Sequence, residues 1–148
     1  MEHKIDEAAV WQRVTGSDAG RQVLLAPELL NVLAQMESCL RLLNQLARSN
    51  RSYSSAAQSQ RQQTVRLSGL IYLLDGSPPA AQHITPPSGS RAQQLSWLLP
   101  TIERCAARLN ELTAKAAGLT RDTLKELAAQ QQVLWNQCLN LLGQLTMT

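Results

Sequence analysis

Residues 51–76, RSYSSAAQSQRQQTVRLSGLIYLLDG, change from polar to apolar halfway along, and the second half indicates the fold class. Here the apolar residues fall at positions 65, 67, 70, 71, 73 and 74, a spacing that fits one buried face of a helix better than the alternation of a strand. Gly76 and the prolines after it predict the end of this helix, because glycine can adopt the left-handed C-terminal conformation and proline cannot continue a helix. The polar half carries Gln60, Gln62 and Gln63, amides on a helix that otherwise suits a bundle interior.

The composition of the 148-residue chain predicts one helical domain over residues 1–148. Apolar residues make up 44% and aromatic residues only 3%, Phe is absent, and Leu, Ala and Gln are abundant, which favours helices over sheets. The net charge of +3 is spread along the chain without a basic run, so we expect no nucleic-acid partner. No segment approaches the roughly 18 uninterrupted apolar residues that span a bilayer, so we expect no membrane partner either.

The cysteines Cys39, Cys105 and Cys138 are odd in number and far apart in the sequence. This pattern does not fit a secreted disulfide scaffold and indicates a reducing compartment. The N-terminal residues mix charges and lack the apolar core of a secretion signal. We therefore expect the protein to be cytoplasmic.

Four long helical patterns predict a four-helix bundle over residues 27–145, preceded by a short helix and linker at residues 1–20. Within the latter, Trp11 is expected to pack residues 5–14 across the main body. The brief turn at residues 49–52 makes the first two helices an antiparallel hairpin. Residues 75–89 contain four prolines and no periodicity, and at about 3 Å per residue they can run roughly 45 Å. We expect two antiparallel hairpins joined by this long crossover loop.

Two residues predict local features of the second hairpin. Pro100 lies inside the third helix, which we expect to run from about residue 90 to 117, and it removes the amide that would bond the carbonyl of Ser96. A kink or a break into two pieces is expected there. Thr120 is the expected N-cap of the fourth helix, because its hydroxyl can accept a hydrogen bond from a free amide of the first turn.

The chain also contains an internal repeat. The segment MESCLRLLNQL at 36–46 recurs as IERCAARLNEL at 102–112, an offset of 66 residues. The second and fourth helices align at an offset of 68, which places Gln63 on Gln131 and Leu70 on Cys138. The repeat indicates two related helical hairpins about a pseudo-twofold axis.

These features resemble the ferritin-like superfamily, in particular its rubrerythrin-like bacterial members. The features are the two hairpins with a lengthwise crossover, one Glu in the middle of helices one and three, and a second helix that ends in LSGLIYLLDG. In that family helices one and three each give a Glu, and helices two and four each give a Glu-x-x-His, to hold two iron or manganese ions. Glu37 and Glu103 match the two single glutamates.

The chain departs from the family at the other ligands. The resemblance places the lost Glu-x-x-His of helix two on Gln60 and Gln63, and that of helix four on Gln131 and Leu134, or one residue earlier on Gln130 and Val133. Both histidines of the sequence, His3 and His83, lie outside the long helical patterns. Because a neutral amide is a poor ligand for iron, the resemblance implies the fold but argues against its oxidase, peroxidase and iron-storage chemistry. We expect no cofactor, and at most a vestigial metal site at Glu37 and Glu103.

Structural roles for these residues compete with functional ones. Glu37 can form an ion pair with Arg41, and Glu103 with Arg66 or Arg108, or the two carboxylates can face each other in a vestigial cavity. The glutamines can form an amide network, a solvated helix end or a pocket for a small polar molecule. The three cysteines fit buried small apolar residues better than a metal or redox site, because no C-x-x-C spacing is present.

Two functions remain compatible with the sequence. The first is a non-catalytic ferritin-like module for binding or structure, with a homodimer through a Leu-rich helix face as a candidate assembly. The second is a metal-dependent oxidoreductase or iron-handling protein, with an altered iron or manganese site around Glu37 and Glu103. The missing ligands favour the first function, so the chain is not expected to be an enzyme.

Overall fold

The computed structural model describes residues 25–79 and 84–147, with side chains as far as residue 144. The predicted N-terminal helix at 5–14 with Trp11, and both histidines, lie outside the described residues. Within them the chain forms four α-helices and no strand. The helices are α1 (Ala26–Ser49), α2 (Ser54–Asp75), α3 (Arg91–Thr113) and α4 (Gly118–Met147), and a 3-10 turn (Arg51–Tyr53) joins α1 to α2.

The helices pack side by side, with α1 against α2 and α3, and α4 against α2 and α3. Their buried apolar residues form two clusters. The lower cluster contains the beginning of α1 and α4 and the end of α2 and α3, as represented by Leu29, Leu124, Leu70 and Leu112. The upper cluster contains the opposite ends, as represented by Leu46, Leu141, Ala56 and Leu95. Each helix is therefore antiparallel to both of its neighbours, which confirms the two predicted hairpins.

The link between α2 and α3 runs from the lower end of this bundle to the upper end. Halfway along, the Ser38 hydroxyl on α1 donates a hydrogen bond to the carbonyl of Ile84 in the link. The Arg41 guanidinium reaches the same carbonyl at 3.4 Å. For the parts of residues 75–89 that are described, the predicted lengthwise crossover is confirmed.

Local sequence signals explain most helix ends. Gly76 ends α2 with a left-handed φ of 79°, and its amide donates to the carbonyl of Tyr72 at 2.8 Å, as predicted. Ser90 opens α3 through a capping box, in which its hydroxyl accepts from the amide of Gln93 and the Gln93 side chain accepts from the amide of Ser90. Asn50 caps the turn before α2 by accepting from the Ser52 amide.

Of the kink or break predicted at Pro100, the break is wrong, because α3 continues through it, and the kink stays a prediction. Pro100 and Ser96 are both exposed, so the carbonyl that loses its amide partner can be hydrated. On the adjoining buried side, the Thr101 hydroxyl donates to the carbonyl of Trp97 at 2.8 Å. The helix therefore tolerates proline on its outer face.

The predicted ends around the second turn are also corrected. Helix α3 ends at Thr113 and not near residue 117, because the amides of Lys115 and Ala116 bond carbonyls three residues back and tighten the chain. Thr120 is not the N-cap, since α4 begins at Gly118, which has a left-handed φ of 59°. Thr120 is instead a buried residue of the first turn.

The α2 pattern predicts the buried face only in part. Leu67, Leu70 and Ile71 are buried, but Val65 and Leu73 are 66% and 76% exposed. No helix within the described ranges is long and apolar enough to cross a membrane.

Candidate functional site

A layer of buried glutamines separates the two apolar clusters. Gln60 and Gln63 of α2 lie between Ala57 of the upper cluster and Leu67 of the lower, and Gln131 of α4 lies between the corresponding parts of its own helix. Gln60 and Gln131 are fully buried, and Gln63 is 2% exposed. Because an unpaired buried amide is costly, these three side chains require internal hydrogen-bond partners.

The three amides supply these partners to one another. The Nε2 of Gln131 donates to the Oε1 of Gln60 at 2.6 Å and also to the Oε1 of Gln63. In turn, the Nε2 of Gln60 donates to the carbonyl of Met36 on α1 at 3.2 Å, and that of Gln63 donates to the Ser59 hydroxyl at 2.9 Å. We call Gln60, Gln63 and Gln131 the amide triad. It links α1, α2 and α4 through neutral groups.

One acceptor of the triad has no partner among the described residues, namely the buried Oε1 of Gln131. The indole Nε1 of Trp135, one turn further along α4, is also buried without a partner. These atoms are a free acceptor and a free donor on the same side of one helix.

The chemistry that the side chains of the triad offer is hydrogen bonding. The triad contains no titratable group, and both oxygens of its α2 members accept from Gln131. Within the described residues, no group of three or more His, Cys, Asp or Glu side chains is placed to hold a metal ion.

The two predicted glutamates do not belong to the triad. Glu37 is half-buried beside Met36, and Glu103 is exposed. The arginines suggested as partners of Glu103 bind other carboxylates: Arg66 lies 2.6 Å from Glu126, and Arg108 lies 2.9 Å from Glu28 and 2.6 Å from Glu111. A vestigial metal role for Glu37 and Glu103 stays a prediction.

The two pairs of positions left open for helix four differ in burial. Gln131 and Leu134 are both fully buried, whereas Gln130 is exposed and Val133 is 64% exposed. Gln130 instead accepts a hydrogen bond from Arg66 at the surface. The interior positions of α4 are therefore Gln131 and Leu134.

The cysteines lie close to this layer and are free thiols. Burial raises the pKa of Cys39 well above its ordinary value, and the neighbouring Cys105 and Cys138 raise it further. Burial likewise raises the pKa of Cys105, against a lowering effect of Arg104, and that of Cys138, each to about 12. Near neutral pH all three are protonated, which disfavours nucleophilic or redox chemistry and metal ligation.

Sequence reasoning missed two surface features. A groove between α1 and α3 holds the Glu28–Arg108–Glu111 ion pairs, and an apolar groove between α2 and α4 is lined by Tyr72, Leu73 and Leu119, among others. The ion pair of Arg108 with Glu28 joins residues that are 80 positions apart, so no local sequence pattern predicts it. The sequence pattern does not predict the exposure of Leu73, because its spacing also fits the buried face of α2.

No family model matches the sequence, and neither the curated proteins nor the solved structures include a match.

Proposed function

We propose that this chain is a non-catalytic helical module for binding or structure, derived from a ferritin-like bundle that has lost its di-iron site. The observation that carries the proposal is the amide triad, since neutral, mutually bonded amides fill the interior positions where the resemblance places metal ligands. An interior of this kind fixes helix register and excludes ions, because buried charge without compensating charge is unfavourable.

The donor set supports a metal-free interior. Two divalent ions bring four positive charges, and iron or manganese sites offset them with carboxylates and imidazoles. Here Glu37 and Glu103 are the only carboxylates at the matching positions, and Glu103 is exposed. The amide oxygens of Gln60 and Gln63 already accept hydrogen bonds.

The experiment is metal analysis of protein purified without chelators and then exposed to Fe(II) or Mn(II). The proposal predicts no stoichiometric metal and no ferroxidase or peroxidase activity. The matched variant Gln60→Glu/Gln63→His restores the ligand pair implied by the resemblance on α2. If the ancestry is correct, this variant binds Fe(II) more tightly than the wild type, while the control Gln58→Glu/Gln62→His, with both changes on the exposed side of α2, does not.

A further inference from the structure

The outward face of α2 carries an apolar stripe that nothing in the described chain covers. Val65 is 66% exposed and Tyr72 is 50% exposed, with Gly69 between them on the same face. Beside the stripe, Leu73 and Leu119 border a groove of about 480 Å³ between α2 and α4. Single exposed apolar residues are ordinary, whereas several on one face are a candidate contact surface.

Gly69 is unexplained by the fold itself. It lies in the interior of α2, where glycine is less favourable than alanine. A Cβ added there meets nothing within 4 Å, and its φ is not positive. Neither the backbone nor internal packing therefore requires glycine here. Close approach of a second surface does require a small residue, and Ser68 beside it is small as well.

The charges on this face of α2 indicate which partner surface is complementary to it. Arg61 lies seven residues before Ser68 and Asp75 lies seven residues after it. Seven residues are about two helical turns, so the basic and acidic residues occupy opposite ends of one face. Neither belongs to the ion pairs of Arg66 and Arg108, and the Asp75 carboxylate accepts a hydrogen bond from the Ser77 hydroxyl at 2.9 Å. A face with this charge order is complementary to itself when turned end to end.

We propose that two copies of this chain dimerise by antiparallel packing of their α2 helices, which cross at Ser68 and Gly69. A twofold axis at the crossing sets Arg61 of each copy against Asp75 of the other, and Val65 of each against Tyr72 of the other. Each contact occurs twice, as in an isologous interface. The dimer gives the proposed binding function a partner, namely a second copy of the chain, and it rests on that proposed function.

Sedimentation equilibrium of the full chain from micromolar to millimolar concentrations tests the proposal. The wild type should dimerise reversibly. Gly69→Gln should weaken dimerisation at least about tenfold, because the added side chain lies at the crossing, without loss of helical signal. The matched control is Gly143→Gln, at another helical glycine where φ is not positive and a Cβ meets nothing within 4 Å, and it should dimerise like the wild type.

Charge exchange tests the antiparallel register. Arg61→Asp and Asp75→Arg should each weaken self-association, because each places like charges opposite each other at both ends. Mixing the two single variants should give a heterodimer tighter than either homodimer, and the double variant R61D/D75R should recover dimerisation.

Three results would overturn the proposal. The first is a wild type that stays monomeric over the whole concentration range, which includes the case in which residues 1–24 or a different protein covers the stripe. The second is a dimer whose affinity Gly69→Gln leaves unchanged, and the third is a heterodimer of the two charge variants that is no tighter than their homodimers. None of these bears on metal content, so failure of the dimer is distinguishable from failure of the metal-free interior.

Discussion

The Nε2 of Gln131 on α4 lies 2.6 Å from the Oε1 of Gln60 on α2, and both side chains are fully buried. This hydrogen bond fixes the orientation of both amides, since Gln60 must then direct its own Nε2 to the Met36 carbonyl. The bundle interior is thus joined across three helices by directional bonds between neutral groups. Apolar packing alone specifies helix register less strictly.

Replacing the central donor tests the energetic role of the triad. Gln131→Met keeps the shape of the side chain but leaves the buried oxygens of Gln60 and Gln63 without their donor. Because an unsatisfied buried acceptor costs about 1–3 kcal/mol, we expect a loss of roughly 2–4 kcal/mol in the free energy of unfolding, measured by urea denaturation.

The control is the triple variant Gln60→Met/Gln63→Met/Gln131→Met. It removes both sides of each bond within the triad, so most of the lost stability should return. A Gln131→Met variant as stable as the wild type would show that the hydrogen bonds of the triad do not stabilise the fold.

The buried thiols predict a loss of stability in alkali. The unfolded chain releases cysteine protons near pH 8.5, whereas burial raises the pKa of Cys105 and Cys138 to about 12. The folded state therefore retains protons that the unfolded state loses. The stability contribution is complete below the unfolded pKa and falls as pH rises towards the folded pKa.

Urea unfolding from neutral pH to about pH 10.5 should show this decline. The variant Cys105→Ala/Cys138→Ala should have a shallower slope, both through the lost thiols and because Cys138, after burial, also raises the pKa of Tyr53. Equal slopes would mean that these thiols are not buried.

Gly89 should be required for the capping box of α3. Its φ is 131°, and a Cβ at this position would collide with the Oε1 of Gln93, the oxygen that accepts from the Ser90 amide at 2.8 Å. Gly89→Ala should cost about 1–3 kcal/mol through backbone strain and loss of the cap.

The matched control is Gly118→Ala, which has φ of 59° and open space around the Cβ. The strain is milder there, because this φ lies in the left-handed helical region that other residues can adopt, and no collision adds to it, so we expect a smaller loss of about 1 kcal/mol. Thermal denaturation of both variants measures the difference, and a larger loss for Gly118→Ala would contradict the steric account.

Pro100→Ala should stabilise the protein. The change restores an amide donor to the carbonyl of Ser96 on the exposed side of an unbroken helix. Proline costs about 3 kcal/mol in an ordinary helix interior, so we expect a gain of roughly 1–3 kcal/mol by chemical denaturation. A destabilised variant would show that the neighbouring residues are packed around the proline ring.

The sequence pattern predicted the helices, the crossover and most of the core. These features depend on the 3.6-residue period and on the prolines at 75–89, and both can be recognised within short segments of the sequence. The pattern was wrong about a break at Pro100, where the lost carbonyl partner is exposed to solvent, and about Leu73, where the same spacing also fits the outward face. At the candidate site, the resemblance implied Gln60, Gln63 and either Gln131 or Gln130 as lost ligand positions, but which amides meet and how they bond depends on the rotation of α2 and α4. Residues aligned by the repeat do not always share the same burial. Cys39 and Cys105 are both buried, whereas Leu73 is exposed and Leu141 is buried.

The central claim is that the bundle interior is a neutral, metal-free hydrogen-bond network. The most direct measurement is elemental analysis of the wild type and of Glu37→Gln/Glu103→Gln, after exposure to Fe(II) or Mn(II) and removal of unbound metal. The account predicts no stoichiometric metal in either protein and an unfolding free energy that the double substitution leaves unchanged or raises. About two metal ions per wild-type chain, as a di-iron bundle holds, and lost in the variant, would contradict it.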